Sequence, residues 1–195
     1  MQSRVIDLFH QSIEAKMACG ELLDQPLAEC STLIANQLLE ERKVLCCGTG
    51  IAGNLASIFS LNLSLGYKMD RPGFAAITLA TDPGHTSAIL HKLSVGELFS
   101  EQLRALGNPG DILVAFSLGE DNRSIVRAIQ CAHEKQMRVV AFYTPGDQSI
   151  NASLSDSDIP LHIPLTDRHR ASEVQLLSIY ALCDLIDYQL FGGVD

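Results

Sequence analysis

The residues most suggestive of chemistry are Gly48-Thr49-Gly50-Ile51-Ala52-Gly53, which match G-x-G-x-x-G between an apolar run and an amphipathic stretch. Read literally this is a dinucleotide fingerprint, in which backbone N–H groups at a helix start cradle a pyrophosphate. The fingerprint also requires an acid at the end of the following strand to hold a ribose. Here Asp70 precedes that strand and Asp82 lies well beyond the expected spacing, so nicotinamide or flavin binding is not expected. A tight turn for another anion, or simply for strand–helix packing, remains. Six histidines, His10, His85, His91, His133, His162 and His169, are dispersed without H-E-x-x-H spacing, and no Gly-x-Ser-x-Gly nucleophile turn occurs. Six cysteines are equally scattered and read as buried reduced thiols, so neither metal nor cofactor is expected.

The elements that must position these groups follow from periodicity. Lys43–Cys47, Phe74–Leu79, Asp111–Phe116, Arg138–Tyr143 and Ile159–Ile163 read as buried parallel strands. Helical stretches run from about 52 to 65, 122 to 135 and 168 to 190, with weaker candidates at 85–90 and 95–106. Pro145 to Asp158 reads as the main loop. Strands alternating with helices predict a three-layer αβα sandwich around a five-stranded parallel sheet in flavodoxin-like order, with ligands at the strand C-terminal ends. Residues 1–42 are expected to form an N-terminal helical hairpin broken near Pro26, and 43–195 the core with its long C-terminal helix, all in one domain of 195 residues. The last helix is apolar on more than one face, which predicts that it covers both the sheet and another subunit.

Bulk composition narrows the function further. A net charge of −9 disfavours direct binding to nucleic acid. With 47% apolar residues, no signal-peptide run and no membrane-length apolar stretch, a cytoplasmic protein without membrane contact is expected.

Lys43–Gly50, Arg71-Pro72-Gly73, Ala105–Asp111, and Leu182–Asp187 with Leu190-Phe191 occur in matching order over almost the whole chain. They resemble the phosphoheptose isomerase branch of the sugar-isomerase (SIS) fold, and within it the DiaA-type group that associates with a replication initiator. The resemblance implies a homotetramer. Isomerases of the family use a histidine and a glutamate on the helix after the glycine turn, and a second histidine on the last helix. The matching positions hold Ile58, Asn62 and Gln175, none of which is a general acid or base near neutrality. The resemblance thus implies a degenerate phosphosugar cleft of Gly48, Thr49, Gly50, Ala52, Ser117, Glu120 and Asp121, the two acids placing negative charge where a phosphate would sit. It implies a non-catalytic protein that binds the initiator DnaA through Arg71, Leu190 and Phe191, with a sugar phosphate as a residual ligand. The alternative expectation is a divergent sugar-phosphate isomerase or sensor that uses His85, Asp82 or Glu173.

Overall fold

The structure is a computed structural model describing residues 1–119 and 122–192. Five strands, β1 (Val44–Gly48), β2 (Ala76–Thr78), β3 (Ile112–Phe116), β4 (Arg138–Tyr143) and β5 (Ile159–His162), form one all-parallel sheet in the order β2-β1-β3-β4-β5. The αβα sandwich expected from the alternating pattern is present. Each strand follows its predicted run closely, and only β2 is markedly shorter than its apolar stretch.

Alternation within the strands divides the core. Cys46, Val114, Phe116, Val140, Phe142 and Leu161 face the layer of α1 (Gln2–Leu39), α2 (Ile51–Leu65) and α7 (Arg168–Phe191). Leu45, Cys47, Leu113, Ala115, Val139, Ala141 and Tyr143 face the opposite layer, with α4 (Ser100–Leu106), α5 (Arg123–Glu134) and the single-turn α6 (Gln148–Asn151). Between β2 and α4 the chain forms α3 (Pro83–Lys92) and a 3-10 turn at Val95–Glu97. Asp111, just before β3, ties the sheet's lower edge. It accepts from the Lys43 and Asn108 backbone N–H groups at 3.0 and 2.7 Å and pairs with the Lys43 ammonium at 2.6 Å.

The N-terminal segment corrects one expectation. Residues 1–42 do not form a hairpin: α1 is one continuous helix that contains Pro26. Proline removes one backbone bond and crowds the preceding turn. Packing on both sides outweighs that local cost, because Cys19, Leu23, Cys30 and Ile34 are all buried against the α7 layer.

The surplus apolar surface of α7 is also accounted for. By length and composition α7 could cross a membrane, but it is a core helix whose Ala171, Val174, Ile179, Leu182, Cys183 and Ile186 are buried. It packs along α1 and α2 as well as the sheet, so a second subunit is not needed to explain most of its apolar residues. The uncovered apolar row lies on α1 instead, at Val5, Leu8, Phe9, Ile13 and Met17.

Candidate functional site

The glycine turn is dictated by close packing of β1 on α2. A Cβ on Gly48 would stand 2.6 Å from the Ala52 carbonyl carbon, and one on Gly53 would stand 2.9 Å from the Gly48 oxygen. Gly50, the α2 N-cap, has φ of +57°, where a side chain is strained. All three glycines of the motif are therefore explained without a dinucleotide.

Above this turn, at the strand C-terminal ends, lies a cleft of about 320 Å3 with Thr49, Asn54, Ser57, Thr78 and Thr81 among its lining. The Gly53 and Asn54 N–H groups close on the Thr49 and Gly50 carbonyls. The leading N–H groups of Ile51 and Ala52 have no acceptor among the described residues, and no acid sits in the first turn. Such a helix start favours an anion, through both its free donors and its dipole.

The second half of the site forms around Ser117, at the end of β3. Its hydroxyl donates to Asp147 Oδ1 at 2.7 Å, while its carbonyl accepts from Gln175 Nε2 at 2.7 Å. Asp147 is completely buried and collects four further donors: the Gly119 N–H (3.1 Å), the Asn122 amide (3.3 Å), and the Thr144 N–H (2.9 Å) and hydroxyl (3.0 Å). One carboxylate thus fixes the loops after β3 and β4 against each other. Reading the sequence missed Asp147; its signal was an acid in a Pro-Gly-Asp turn at a strand C-terminus. Glu120 and Asp121, expected to oppose a phosphate, lie outside the described residues.

The other predicted site residues are dispersed. Ile58 packs against the α1/α2/α7 core. The Asn62 amide turns back onto its own helix, donating to the Ile58 carbonyl at 2.7 Å. Gln175 is fully buried, with its Oε1 lacking a partner among the described residues.

Glu173 ties α7 to α1, accepting from the Ser12 hydroxyl and pairing with Arg170 and Lys16. Burial pushes its carboxyl up, but that hydrogen bond and the two cations prevail and hold it below the usual range. It is a structural tie rather than a poised base. Asp82 caps α3 by accepting from the Gly84 and His85 N–H groups. This places the exposed His85 in the first turn of α3, four residues along the chain from Thr81 of the cleft wall, though His85 is not itself among the described lining residues.

Arg71 is committed internally. Its Nε donates to Asp187 Oδ1 at 2.7 Å, and its other nitrogens donate to the Leu63, Pro72 and Asn62 carbonyls. The guanidinium also lies 4.2 Å from the Phe74 ring centre, and Phe74 stacks on Phe191. Leu190 packs on the core, and Phe191 remains about half exposed. Arg71 therefore satisfies the C-terminal carbonyls of α2 and anchors α7; it is too buried to serve as a surface anchor.

Residues 9–144 match the family model described as SIS domain. The chain belongs to the SIS-domain family, in its phosphoheptose isomerase-like branch. It is 38% identical over 194 residues to a phosphoheptose isomerase of Chromohalobacter salexigens, covering 100% of this chain and 98% of that one. A phosphoheptose isomerase of Alkalilimnicola ehrlichii is 37% identical, with 97% of each chain covered. The structure of phosphoheptose isomerase GmhA from Neisseria gonorrhoeae superposes with a TM-score of 0.87 at 33% identity, covering 95% of this chain and 98% of that one.

These matches overturn the expectation of a non-catalytic protein that binds a replication initiator. The relatives aligned end to end with this chain are named as isomerases. The physical error lay in reading three positions as decisive. Ile58, Asn62 and Gln175 exclude those particular side chains as proton carriers, whereas proton transfer can use any suitable group within reach.

Proposed function

We propose that the chain is a sugar-phosphate isomerase of the phosphoheptose type, working in the cytoplasm as a homotetramer. The observation that carries this reading is the end-to-end similarity to phosphoheptose isomerases, together with the shared fold. The free Ile51 and Ala52 N–H groups and the hydroxyls of Thr49, Ser57 and Thr78 suit a phosphorylated polyol. The six buried free thiols suit a reducing compartment. The bare apolar row on α1 suits burial between subunits.

The reaction moves a proton between adjacent carbons. A base removes the proton from the carbon next to the carbonyl, giving an enediol. The proton returns to the former carbonyl carbon while the hydroxyl proton moves to the other oxygen, so atoms and charge balance. Among the described residues, the Thr, Asn and Ser side chains lining the cleft cannot take the carbon-bound proton near neutral pH. We assign this task to His85, which lies four residues along the chain from Thr81 of the cleft wall, is exposed, and has a ring that holds no hydrogen bond among the described residues.

Proton NMR of the protein with a heptulose phosphate in deuterated water tests the reading. Expected is conversion with solvent deuterium at the carbon beside the carbonyl, lost in His85→Ala. Neither conversion nor deuterium uptake by the intact protein would refute the isomerase reading. Undiminished turnover in His85→Ala would refute only the assignment of the base.

A further inference from the structure

The sheet is covered unequally. In a parallel sheet both faces are normally blanketed by helices. Ile159 and Leu161 of the edge strand β5 enter the core beneath α1 and α7, but Pro160 and His162 on its other face are exposed. The nearest helix on this side given by the described contacts, α6, is one turn long and packs on β4.

This bare corner holds a cavity of about 450 Å3, at the opposite end of the strand order from the glycine-turn cleft. Its volume lies within the ~300–1,000 Å3 usual for small-ligand sites. Tyr143 and His162 are register partners on β4 and β5, and their ring centres lie 5.0 Å apart. The Tyr143 hydroxyl donates to Asn151 Oδ1 at 2.9 Å, which fixes the amide and leaves its nitrogen turned from that bond. The side-chain amide of Gln148 and the ring of His162 are exposed and hold no hydrogen bond among the described residues.

The charge of the lining defines the ligand. Neither Lys nor Arg is among the described lining residues, and the one-turn α6 offers too small a dipole to stand in for one, so the lining carries no counter-charge for a phosphate. The one carboxylate, Asp147, already accepts five donors and has no capacity left for a cation. What remains is an aromatic pair beside amides that both donate and accept. Hydroxyl groups on a ring with an apolar face match that pattern, because each hydroxyl also donates and accepts.

We propose that this cavity is a second small-molecule site, taking an uncharged polyhydroxylated ring of monosaccharide size against Tyr143 and His162, with Gln148 and Asn151 reading its hydroxyls. Asp147 lies between this cavity and the Ser117 loop, but the cavity has no described lining residue in common with the glycine-turn cleft, differs from it in ligand charge, and does not depend on the isomerase reading.

Saturation-transfer NMR on the intact protein with D-mannose, D-glucose and D-ribose, and with mannose 6-phosphate for comparison, tests it without reading turnover. At least one neutral aldose is expected to bind saturably. Its binding should fall about tenfold, the equivalent of one lost hydrogen bond or stacking contact, in both His162→Ala and Gln148→Ala. Thr49→Ala, in the other cleft, should leave it unchanged. Gln148 is exposed on a surface turn, so its variant keeps the fold even if His162→Ala does not. The proposal is overturned if none of the three aldoses binds, if binding survives Gln148→Ala, if Thr49→Ala abolishes it, or if the phosphorylated sugar binds more tightly through Gln148.

Discussion

Arg71 Nε and Asp187 Oδ1 lie 2.7 Å apart with both side chains buried, joining residues 116 positions apart in sequence. The second Asp187 oxygen has no partner among the described residues, so the aspartate relies on this one contact. Removing one member of a buried pair strands the other charge and typically costs ~3–5 kcal/mol. Arg71→Ala is therefore expected to lower urea-unfolding stability by about 3 kcal/mol or more, since it also removes the guanidinium bonds to the Leu63 and Asn62 carbonyls, which keep only their backbone donors. Lys68→Ala supplies the contrast, because Lys68 and Asp184 pair in the open, and no measurable loss is expected. Equal effects of the two substitutions would contradict this account of the α2–α7 junction.

The glycine motif gives a second contrast. Gly48→Ala forces a methyl to 2.6 Å from the Ala52 backbone, so β1 and α2 must part. A cost of roughly 2–4 kcal/mol is expected, in the range of overpacking plus backbone displacement, with loss of sugar-phosphate binding. Gly20 lies within α1, and a Cβ there meets nothing within 4 Å. Gly20→Ala should stabilise by ~0.5–1 kcal/mol through helix propensity. Chemical denaturation of both variants decides, and a tolerated Gly48→Ala would return the motif to a ligand-only role.

Much of the fold was readable because β1, β3 and β4 are short buried runs, mostly of Val, Ile, Leu, Ala, Cys and Phe, each starting at or just after a charged residue. The connecting helices left few sheet orders open. The continuous α1 was not readable: Pro26 is a local signal, whereas the packing of Leu23, Cys30 and Ile34 that overrides it is tertiary. The same limit hid the role of Arg71, whose partner Asp187 is remote; the family resemblance had placed the residue on a partner surface. Asp147 was missed because a turn aspartate usually faces water, and nothing local marks one that gathers five donors. In function, the strong glycine-turn and end-segment motifs located the family, but residue identities at 58, 62 and 175 were given more weight than they carry.

Asp147→Ala should disable the site without touching the cleft's own lining at α2. Five donors would lose their acceptor, among them the buried Thr144 N–H and Ser117 hydroxyl. An unsatisfied buried donor costs ~1–3 kcal/mol, so a loss of at least ~3 kcal/mol is expected. Asp147→Asn, keeping one good acceptor, should lose less. Ser117→Ala removes only one of the five donors and should be mildest in stability. Denaturant midpoints rising in the order Asp147→Ala, Asp147→Asn, Ser117→Ala and native protein check the hub role. A different order would place the support of these loops elsewhere.

The six cysteines are all free and buried, and burial raises every thiol for which a shift is resolved. Cys183 is pushed up to about 12, first by burial and then by the negative charges of Asp187 and Asp184, against the opposing pull of Arg71. The linkage has a definite sign. The folded state keeps the thiol protonated where the unfolded chain, with an ordinary value near 9.0, would ionise. This contribution is full below the unfolded value and is lost as pH rises through the folded one. Stability in urea is therefore expected to decline from about pH 9 toward 12, and Cys183→Ala should remove only its own share of that decline, the other five thiols keeping theirs, while costing some packing. Native protein at pH 8 should react with Ellman's reagent only as fast as it unfolds, and fully once denatured. Prompt labelling of the native protein would show that at least one thiol is open to solvent and would remove burial as the source of the pH slope.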